Sequence, residues 1–439
     1  MSEARTPGPG QGTLRIPFVE LYIGNRRLPL LDASGAGGDG LLLQKFTYTI
    51  SNKVAMGNAL EITIIDPQWQ NLENLIIANI TTRGQRTAPQ FSFRFGWRGI
   101  DDVEGRLPIA MQIIDYGLVF NSFGGTYITI FAMDQGFQLS VSPSTRGFDA
   151  NEPISSVIEQ VIEEIPGLVA NVEPILYPVG EQNCRIENRT RMQYIMDLLD
   201  IARGTDSRNN FVVTSTVLPS GVTQVNVTQN KERDEISKRY IFGRERVGEM
   251  IQFAPKYQGI IMSRLGADRA EAIGYDPVKK TYVKATSDKT EDKSTAPKDI
   301  TDVPLTPFQI WEVPYKNLGD VEAYVRGRRE TANFAGWPAE ATIYGDTSLL
   351  PQQQVQVLVL MGNPRNEEIQ VKHYHNTSGV YLVQGVIHTI YEGVFRTGLE
   401  MIRHRGYLGH EAGGLIVSSI SNPISAGKVR IDAERIEVA

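Results

Sequence analysis

The sequence predicts an α+β fold that is mostly β, with two tandem β-barrel domains, each with a flanking helix, and a small α+β domain between them. Three observations lead to this prediction. Two long strands interrupted by glycine, each followed by a tight turn and a second strand, lie far apart in the chain. A helical pattern and an alternating strand precede each of them. Between the two sets lie amphipathic helical patterns and short strands.

The later hairpin spans residues 380–403, VYLVQGVIHTIYEGVFRTGLEMIR. Apolar residues recur at every second position on both sides of a turn at Glu392 and Gly393, which predicts two strands with one apolar face each. Gly385 lies within the first strand, where a glycine is typical of a bulge or a bend. A bent strand suits a sheet that curves into a barrel.

The earlier hairpin spans residues 110–134, where Gly117 takes the place of the interrupting glycine. A helical pattern over 68–79 and a strand over 91–97 precede it. A helical pattern over 320–334 and a strand over 355–361 precede the later hairpin. This shared order predicts a duplicated module, with the same strand order in residues 14–148 and 246–404.

The length and composition of the chain exclude several classes of protein. A chain of 439 residues is too long for one ordinary core. With a formal charge of −6, the chain lacks the excess of basic residues that is typical of proteins that bind nucleic acid. Cys184 is the single cysteine, which excludes an intrachain disulfide and a multi-cysteine metal site. No apolar run approaches the roughly 20 residues of a membrane helix. The N-terminal residues lack the apolar core of a signal peptide.

Changes in composition and pattern predict the domain boundaries. In the middle domain, Asn151 is expected to cap a helix with Pro153 in its first turn, and a second helix is expected over 192–203. The predicted units are a flexible arm (1–13), a first β-barrel domain (14–148), the α+β middle domain (149–240), a second β-barrel domain (241–408) with a mobile charged loop (284–307), and a C-terminal extension (409–439).

The C-terminal extension alternates apolar and polar residues. A lone alternating strand cannot bury its apolar face by itself. We therefore expect the extension to contact a partner chain through Val429, Ile431, Ile436 and Val438.

No catalytic residue, cofactor site or metal site is predicted. His373 and His375 have a spacing found in zinc sites, but a third ligand is not apparent, so an exposed loop is favoured. His388 could act as a general base, yet no serine or cysteine motif accompanies it, and a hydrogen-bonded strand histidine is favoured. Asp197 and Asp200 are expected on the solvated side of a helix rather than across a bound sugar.

The closing hairpin resembles the end of the second tube-like domain in phage baseplate hub proteins. This group includes late-control protein D of contractile-tailed phages and the N-terminal part of the valine–glycine repeat protein of type VI secretion. The order of elements is similar over residues 14–404. The positions that carry the resemblance are Tyr381, His388, Gly393, Thr397, Leu399 and Arg403.

The resemblance implies a structural virion protein that is not an enzyme and holds no cofactor. Such a protein is made in the host cytoplasm and is located in the tail baseplate. It would form a homotrimeric hub, a symmetry adaptor between the hexameric tail tube and the trimeric spike. Tail tube or distal tube proteins, the spike protein and other baseplate proteins are its expected partners, and DNA is expected only to pass through its lumen. The alternatives are a tail-tip cell-wall hydrolase and a β-rich surface binding module.

Overall fold

In the computed structural model, the described residues lie between 16 and 403. The chain is not described at residues 1–15, 25, 29, 32–39, 52–56, 67–89, 99–106, 122–124, 145, 181–183, 187–188, 206–210, 219, 230–235, 244–249, 257–268, 277–280, 289–308, 313–337, 362–372, 375–376 and 404–439. Some of the sequence predictions therefore fall outside the described residues. They are the N-terminal arm, the helical patterns over 68–79 and 320–334, most of the charged loop, and the C-terminal extension with Val429, Ile431, Ile436 and Val438.

The α+β, mostly β fold class is confirmed. One 15-stranded sheet contains two modules, and two sheets of three strands each accompany it. In the part of the chain that the structure describes, no helix is long and apolar enough to cross a membrane.

The first module is a curled sheet with the strand order β4-β5-β8-β7-β6-β1. Its strands are β1 (Pro17–Ile23), β2 (Arg26–Arg27), β3 (Leu30–Leu31), β4 (Leu41–Ser51), β5 (Ala59–Asp66), β6 (Gln90–Trp97), β7 (Ile109–Asn121) and β8 (Gly125–Met133). Alternate residues of β5 are buried, as a strand with one apolar face requires. The Phe46 and Phe93 ring centroids lie 5.6 Å apart although three strands separate β4 from β6 in the sheet, so the sheet curls around its core.

The second module has the order β13-β17-β21-β20-β18-β12. Its strands are β12 (Lys238–Gly243), β13 (Met250–Pro255), β17 (Pro338–Tyr344), β18 (Gln354–Met361), β20 (Gly379–Tyr391) and β21 (Val394–Arg403), with the short β19 (His373–Tyr374) beside β18. The order of these six strands is that of the first module, but β12 lies before residue 246, where the predicted second copy begins, and it crosses the predicted domain boundary at residue 240. The sixth position differs in direction, because β1 is antiparallel to β6 whereas β12 is parallel to β18. Barrel closure within a module stays a prediction.

Each module has a β-bulge in its longest strand. In β20 the register shifts between Val383 and Gly385, as the glycine in the sequence predicted. In β7 the shift lies between Ile113 and Asp115, and Gly117 pairs regularly with Thr129. Gly117 therefore does not interrupt the strand, because the bulge lies at Ile114, a residue that the sequence pattern does not distinguish from its neighbours.

The middle domain packs helices against a small sheet. Its elements are α1 (Gln138–Val141), α2 (Ile154–Glu163), β9 (Leu168–Val172), α3 (Arg191–Thr205), β10 (Phe211–Val217) and β11 (Thr223–Gln229). Helix α2 is preceded by Pro153 at the N-cap, so the helix begins after the predicted Asn151 cap. Asp200 is 1% exposed, contrary to its expected place on a solvated face, because α3 is surrounded by the domain core.

A mixed three-stranded sheet is inserted in the chain between β13 and β17. It consists of β14 (Arg269–Asp276), β15 (Thr281–Asp288) and β16 (Gln309–Glu312). Strand β15 extends into the predicted charged loop, so residues 284–288 are part of a sheet. The low content of large apolar residues led the sequence analysis to favour a loop there, but cross-strand pairing with β14 stabilises a strand instead.

Candidate assembly interface

The two modules are joined edge to edge into one continuous sheet. Residues 385–391 of β20 pair antiparallel with residues 45–51 of β4, with His388 opposite Tyr48. Strand β20 therefore has a different neighbour along each half, since its first half pairs with β18 and its second half pairs with β4. This contact is a lateral junction between copies of the module, and we call it the intrachain junction.

Aromatic side chains fill the intrachain junction. The His388 ring lies 5.0 Å from that of Phe95 and 6.3 Å from that of Tyr48, measured between centroids. Phe395 lies 5.9 Å from Phe95 and belongs to the core of the first module although its strand belongs to the second. Trp97 donates a hydrogen bond from Nε1 to the carbonyl oxygen of Gly345 at 2.7 Å. The two modules thus share one core at this contact.

His388 is a neutral component of this junction rather than an exposed base. It is 1% exposed, and its Nδ1 lies 3.1 Å from Oγ1 of Thr397, which accepts a hydrogen bond from the backbone N–H of Asp346 at 2.9 Å. Burial lowers the pKa of His388 to about 3, and the charge of Asp346 opposes that shift. The expected hydrogen-bonded strand histidine therefore agrees with the geometry.

The other residues of the sequence motif are placed along the β20–β21 hairpin. The Tyr381 hydroxyl donates to the carbonyl oxygen of Thr377, and Arg403 Nη2 donates to that of Ser378 at 2.7 Å. Glu392 and Gly393 both have positive φ, which suits a two-residue hairpin turn. Thr397 and Leu399 are buried in β21. These contacts stabilise the hairpin that forms the junction.

The candidate ligands His373 and Asp197, both described by the structure, lie on different elements, β19 and α3. The expected exposed loop is wrong at His373, which lies in β19 because it pairs with Met361 of β18, and His375 is outside the described residues. Asp197 forms an ion pair with Arg189. Among the residues that the structure describes, no group of three or more His, Cys, Asp or Glu side chains is placed to hold a metal ion.

The duplication extends to the register of individual residues. Strands β7 and β20 each have 13 residues and the same bulge position, so a shift of 270 residue numbers aligns them. Their pairing with β6 and β18 is also equal, since Phe93 pairs with Ile109 and Val357 pairs with Gly379. The strand pair β4–β5 likewise matches β13–β17, including its bulge. Identical residues occupy three equivalent positions in β5 and β17, namely Glu61 and Glu340, Thr63 and Thr342, and Ile64 and Ile343.

Equivalent residues of the two modules differ sharply in burial along one edge. In β20, Val386 and Ile390 are 0% and 4% exposed because β4 covers them. Their equivalents in β7 are Tyr116 and Phe120, which are 36% and 56% exposed. Among the described strands, residues 116–121 of β7 pair with β8 and with no strand on the opposite side. We call residues 116–121 the β7 edge.

A complementary edge lies in the second module, at the β13 end of the large sheet. Strand β13 is equivalent to β4, and of the described strands β17 alone pairs with it. Its bulge residue Ile251 is 40% exposed. Neither edge was predicted from the sequence, because alternation of apolar and polar residues indicates one buried face for each strand. The signal was present in the sequence: Tyr116, Leu118 and Phe120 lie on one face of β7 while the apolar Val119 lies on the other.

A second contact ties the first module to the middle domain. The buried carboxylate of Asp134 accepts hydrogen bonds from the backbone N–H of Asn58 at 3.0 Å, that of Gly136 at 2.9 Å and the hydroxyl of Ser215 at 2.7 Å. Desolvation raises the pKa of Asp134, and the three donors oppose that shift. A methyl group at Gly57 would lie 2.2 Å from Oδ1 of Asp134, so glycine is required there. Sequence analysis did not single out Asp134.

A duplicated curled sheet with a helical middle domain defines the class of fold, and solved structures of tail proteins are similar to it. A tail protein from Neisseria meningitidis MC58 is similar with a TM-score of 0.55 and 10% identity, over 89% of this chain and 97% of that protein. The 43 kDa tail protein of prophage MuSo2 from Shewanella oneidensis is similar with a TM-score of 0.51 and 13% identity, over 88% of this chain and 98% of that protein. No protein-family model and no curated protein matches the sequence. The resemblance to tail proteins is thus confirmed at the level of the fold.

Proposed function

We propose that this chain is a structural protein of a phage tail, a baseplate hub that forms a homotrimer and adapts the hexameric tail tube to the trimeric spike. The observation that carries the proposal is the duplicated module, whose two copies agree in strand order and residue register and already form one lateral contact. A ring built from three such chains has six similar modules.

Matching a sixfold ring to a threefold spike requires a protein with both symmetries. Three identical chains provide exact threefold symmetry toward the spike. Two similar modules in each chain provide six nearly equal sites toward the tube, and the difference in direction between β1 and β12 allows the two kinds of site to differ. The duplication therefore supports an adaptor better than it supports a simple tube subunit.

The expected surroundings follow from this role. The tail tube or distal tube proteins, the spike protein and other baseplate proteins are the proposed partners, and the virion is the proposed location after synthesis in the host cytoplasm. DNA would pass through the lumen without being bound, because a net charge of −6 repels a polyanion.

We do not assign an enzymatic activity to the chain. The histidine of the intrachain junction is buried and neutral, and Asp134 is fully engaged as an acceptor between two domains. The hydrolase alternative is tested by a zymogram on peptidoglycan with the purified chain, with lysozyme as the positive control. We expect no clearing, and clearing by the chain would support a tail-tip hydrolase.

The copy number in assembled tails tests the hub directly. Purified tails are digested, and peptides of this chain and of the tube protein are quantified against isotope-labelled standards. We expect three copies of this chain per tail and tube subunits in multiples of six. Six copies of this chain per tail would identify a tube-like subunit instead, and its absence from the particle would contradict a structural role.

A further inference from the structure

We infer that the β7 edge pairs antiparallel with β13 of a second copy of this chain, in a register that places Val119 opposite Ala254 of that copy. The inference names the surface through which copies assemble. It rests on the proposed function for the number of chains in the ring, but its strand pairing is argued from the intrachain junction.

The first half of the register follows from the two long hairpins. Thr389 pairs with Arg396 in the second module, and Val119 pairs with Tyr127 in the first. Counting from the shared bulge, these are equivalent pairs, so Val119 occupies the position of Thr389. The same count places Leu118 at the position of His388.

The second half follows from the neighbouring strand pair. Thr47 pairs with Glu61, and Ala254 pairs with Glu340, at the same distance from the bulge in each module. Ala254 therefore occupies the position of Thr47. Because Thr389 pairs with Thr47 in the intrachain junction, a repeat of that junction between two copies places Val119 opposite Ala254.

The burial pattern favours this repeat. The exposed residues Tyr116 and Phe120 occupy positions that β4 buries at the intrachain junction. Val119 is 62% exposed, an unusual exposure for an apolar residue of a long strand. A second β13 would cover the β7 edge as β4 covers β20, and its Phe253 stands at the position of the fully buried Phe46.

Backbone geometry specifies one difference from the intrachain junction. The N–H of Lys256 donates to the carbonyl oxygen of Pro338 in β17 at 2.8 Å. Because the backbone polar groups of successive strand residues point to opposite sides, the carbonyl group of Pro255 points toward the open side of β13. Proline has no N–H, so the Leu118–Pro255 pair would form one hydrogen bond instead of two. Proline at such an edge also disfavours pairing with unrelated strands.

The contact is head to tail, because it joins two different edges of the chain. Such contacts produce closed rings when the rotation between neighbours closes. In the observed strand order, β13 stands at one end and the β7 edge lies in the other module, so each chain offers one edge of each kind. All six junctions in a ring of three chains would then have the same strand register, and the three junctions between chains would each lack the hydrogen bond that Pro255 cannot donate.

Disulfide trapping tests the register. The backbone N–H and C=O groups of Ala254 point toward β17 and not toward the open side of β13. Val119 and Ala254 would therefore form a non-hydrogen-bonded pair, with Cβ atoms about 4.5–5.5 Å apart. This separation is close enough for a disulfide after a small adjustment. The double variant Val119→Cys/Ala254→Cys is prepared with Cys184→Ser, which removes the single native cysteine. We expect mild oxidation to yield covalent dimers and trimers that a reducing agent returns to monomers.

Two matched variants serve as controls in the same background. Thr47→Cys/Thr389→Cys places the cysteines at the intrachain junction and should form an internal disulfide without linking two chains. Val119→Cys/Phe253→Cys shifts the register by one residue and turns the second thiol to the opposite face, so it should link at least tenfold less.

Native mass measurement of each reduced variant separates the two proposals. Trimers that fail to link through residues 119 and 254, or that link equally through residues 119 and 253, would overturn the strand pairing while leaving the trimeric hub intact. Monomers at all concentrations, with no linked species, would overturn both.

Discussion

Replacing His388 with leucine should remove an acid-sensitive contribution to the intrachain junction. Leu118 occupies the equivalent position in the first module, so leucine is a residue that this fold already accepts there. His388 is buried between aromatic rings, and its folded-state pKa of about 3 lies below the ordinary value of 6.5 because burial disfavours the charged imidazolium.

The sign and size follow from linkage. A depressed folded-state pKa means that the neutral form is preferred in the folded protein, so the stabilisation is present above pH 6.5 and is lost as the pH falls toward 3. The full loss is about 5 kcal/mol, because each tenfold change in proton affinity between the folded and unfolded states corresponds to about 1.4 kcal/mol. Between pH 7 and pH 5 the loss is about 2 kcal/mol, or about thirtyfold in the equilibrium for opening the junction.

Hydrogen exchange measures this opening locally. Peptides that contain residues 385–391 are followed by mass spectrometry at pH 7 and pH 5, with rates corrected for intrinsic chemical exchange. Protection in the native chain should fall about thirtyfold more than in His388→Leu. Peptides from α2 in the middle domain provide an internal control and should respond equally in both proteins. Equal pH dependence at the junction in both proteins would refute the reasoning.

Three other substitutions test the contacts between domains by chemical denaturation. Phe395→Ala should cost about 3–5 kcal/mol because it leaves a cavity between the two modules, and a loss below about 1 kcal/mol would contradict the shared core. Ser215→Ala should cost about 1–3 kcal/mol by removing a donor to the buried Asp134, with Thr216→Ala, which removes only an exposed hydrogen bond from Asn226, as the control with the smaller cost. Trp97→Phe should cost about 1 kcal/mol by leaving the Gly345 carbonyl without its indole donor, and an unchanged midpoint would exclude that bond as a stabilising contact.

Local patterns in the sequence were sufficient for the hairpins. Alternation over 380–403 predicted both β20 and β21, and the Glu392–Gly393 turn was found with positive φ at both positions. The bulge next to Gly385 was predictable because glycine is common at such sites, whereas the bulge at Ile114 was not, since its backbone is fixed by pairing with β8 rather than by its own side chain.

The pairing of strands that are far apart in the sequence could not be predicted from local patterns. The contact of β4 with β20 joins residues more than 300 positions apart, and nothing in either strand specifies the other. The same holds for Asp134, whose partners come from three segments. Asp200 was misplaced because a helix packed on several sides has no solvated face at that position. The duplication itself was predictable, because the order of elements is visible even where few residues are identical.

Single-particle electron microscopy of the purified chain, combined with native mass measurement, tests whether duplicated modules build a sixfold ring from three chains. The proposal predicts a particle with three times the 48.8 kDa chain mass, whose ring has six similar lobes and exact threefold symmetry. A monomer, or a ring in which each chain contributes one lobe, would contradict it.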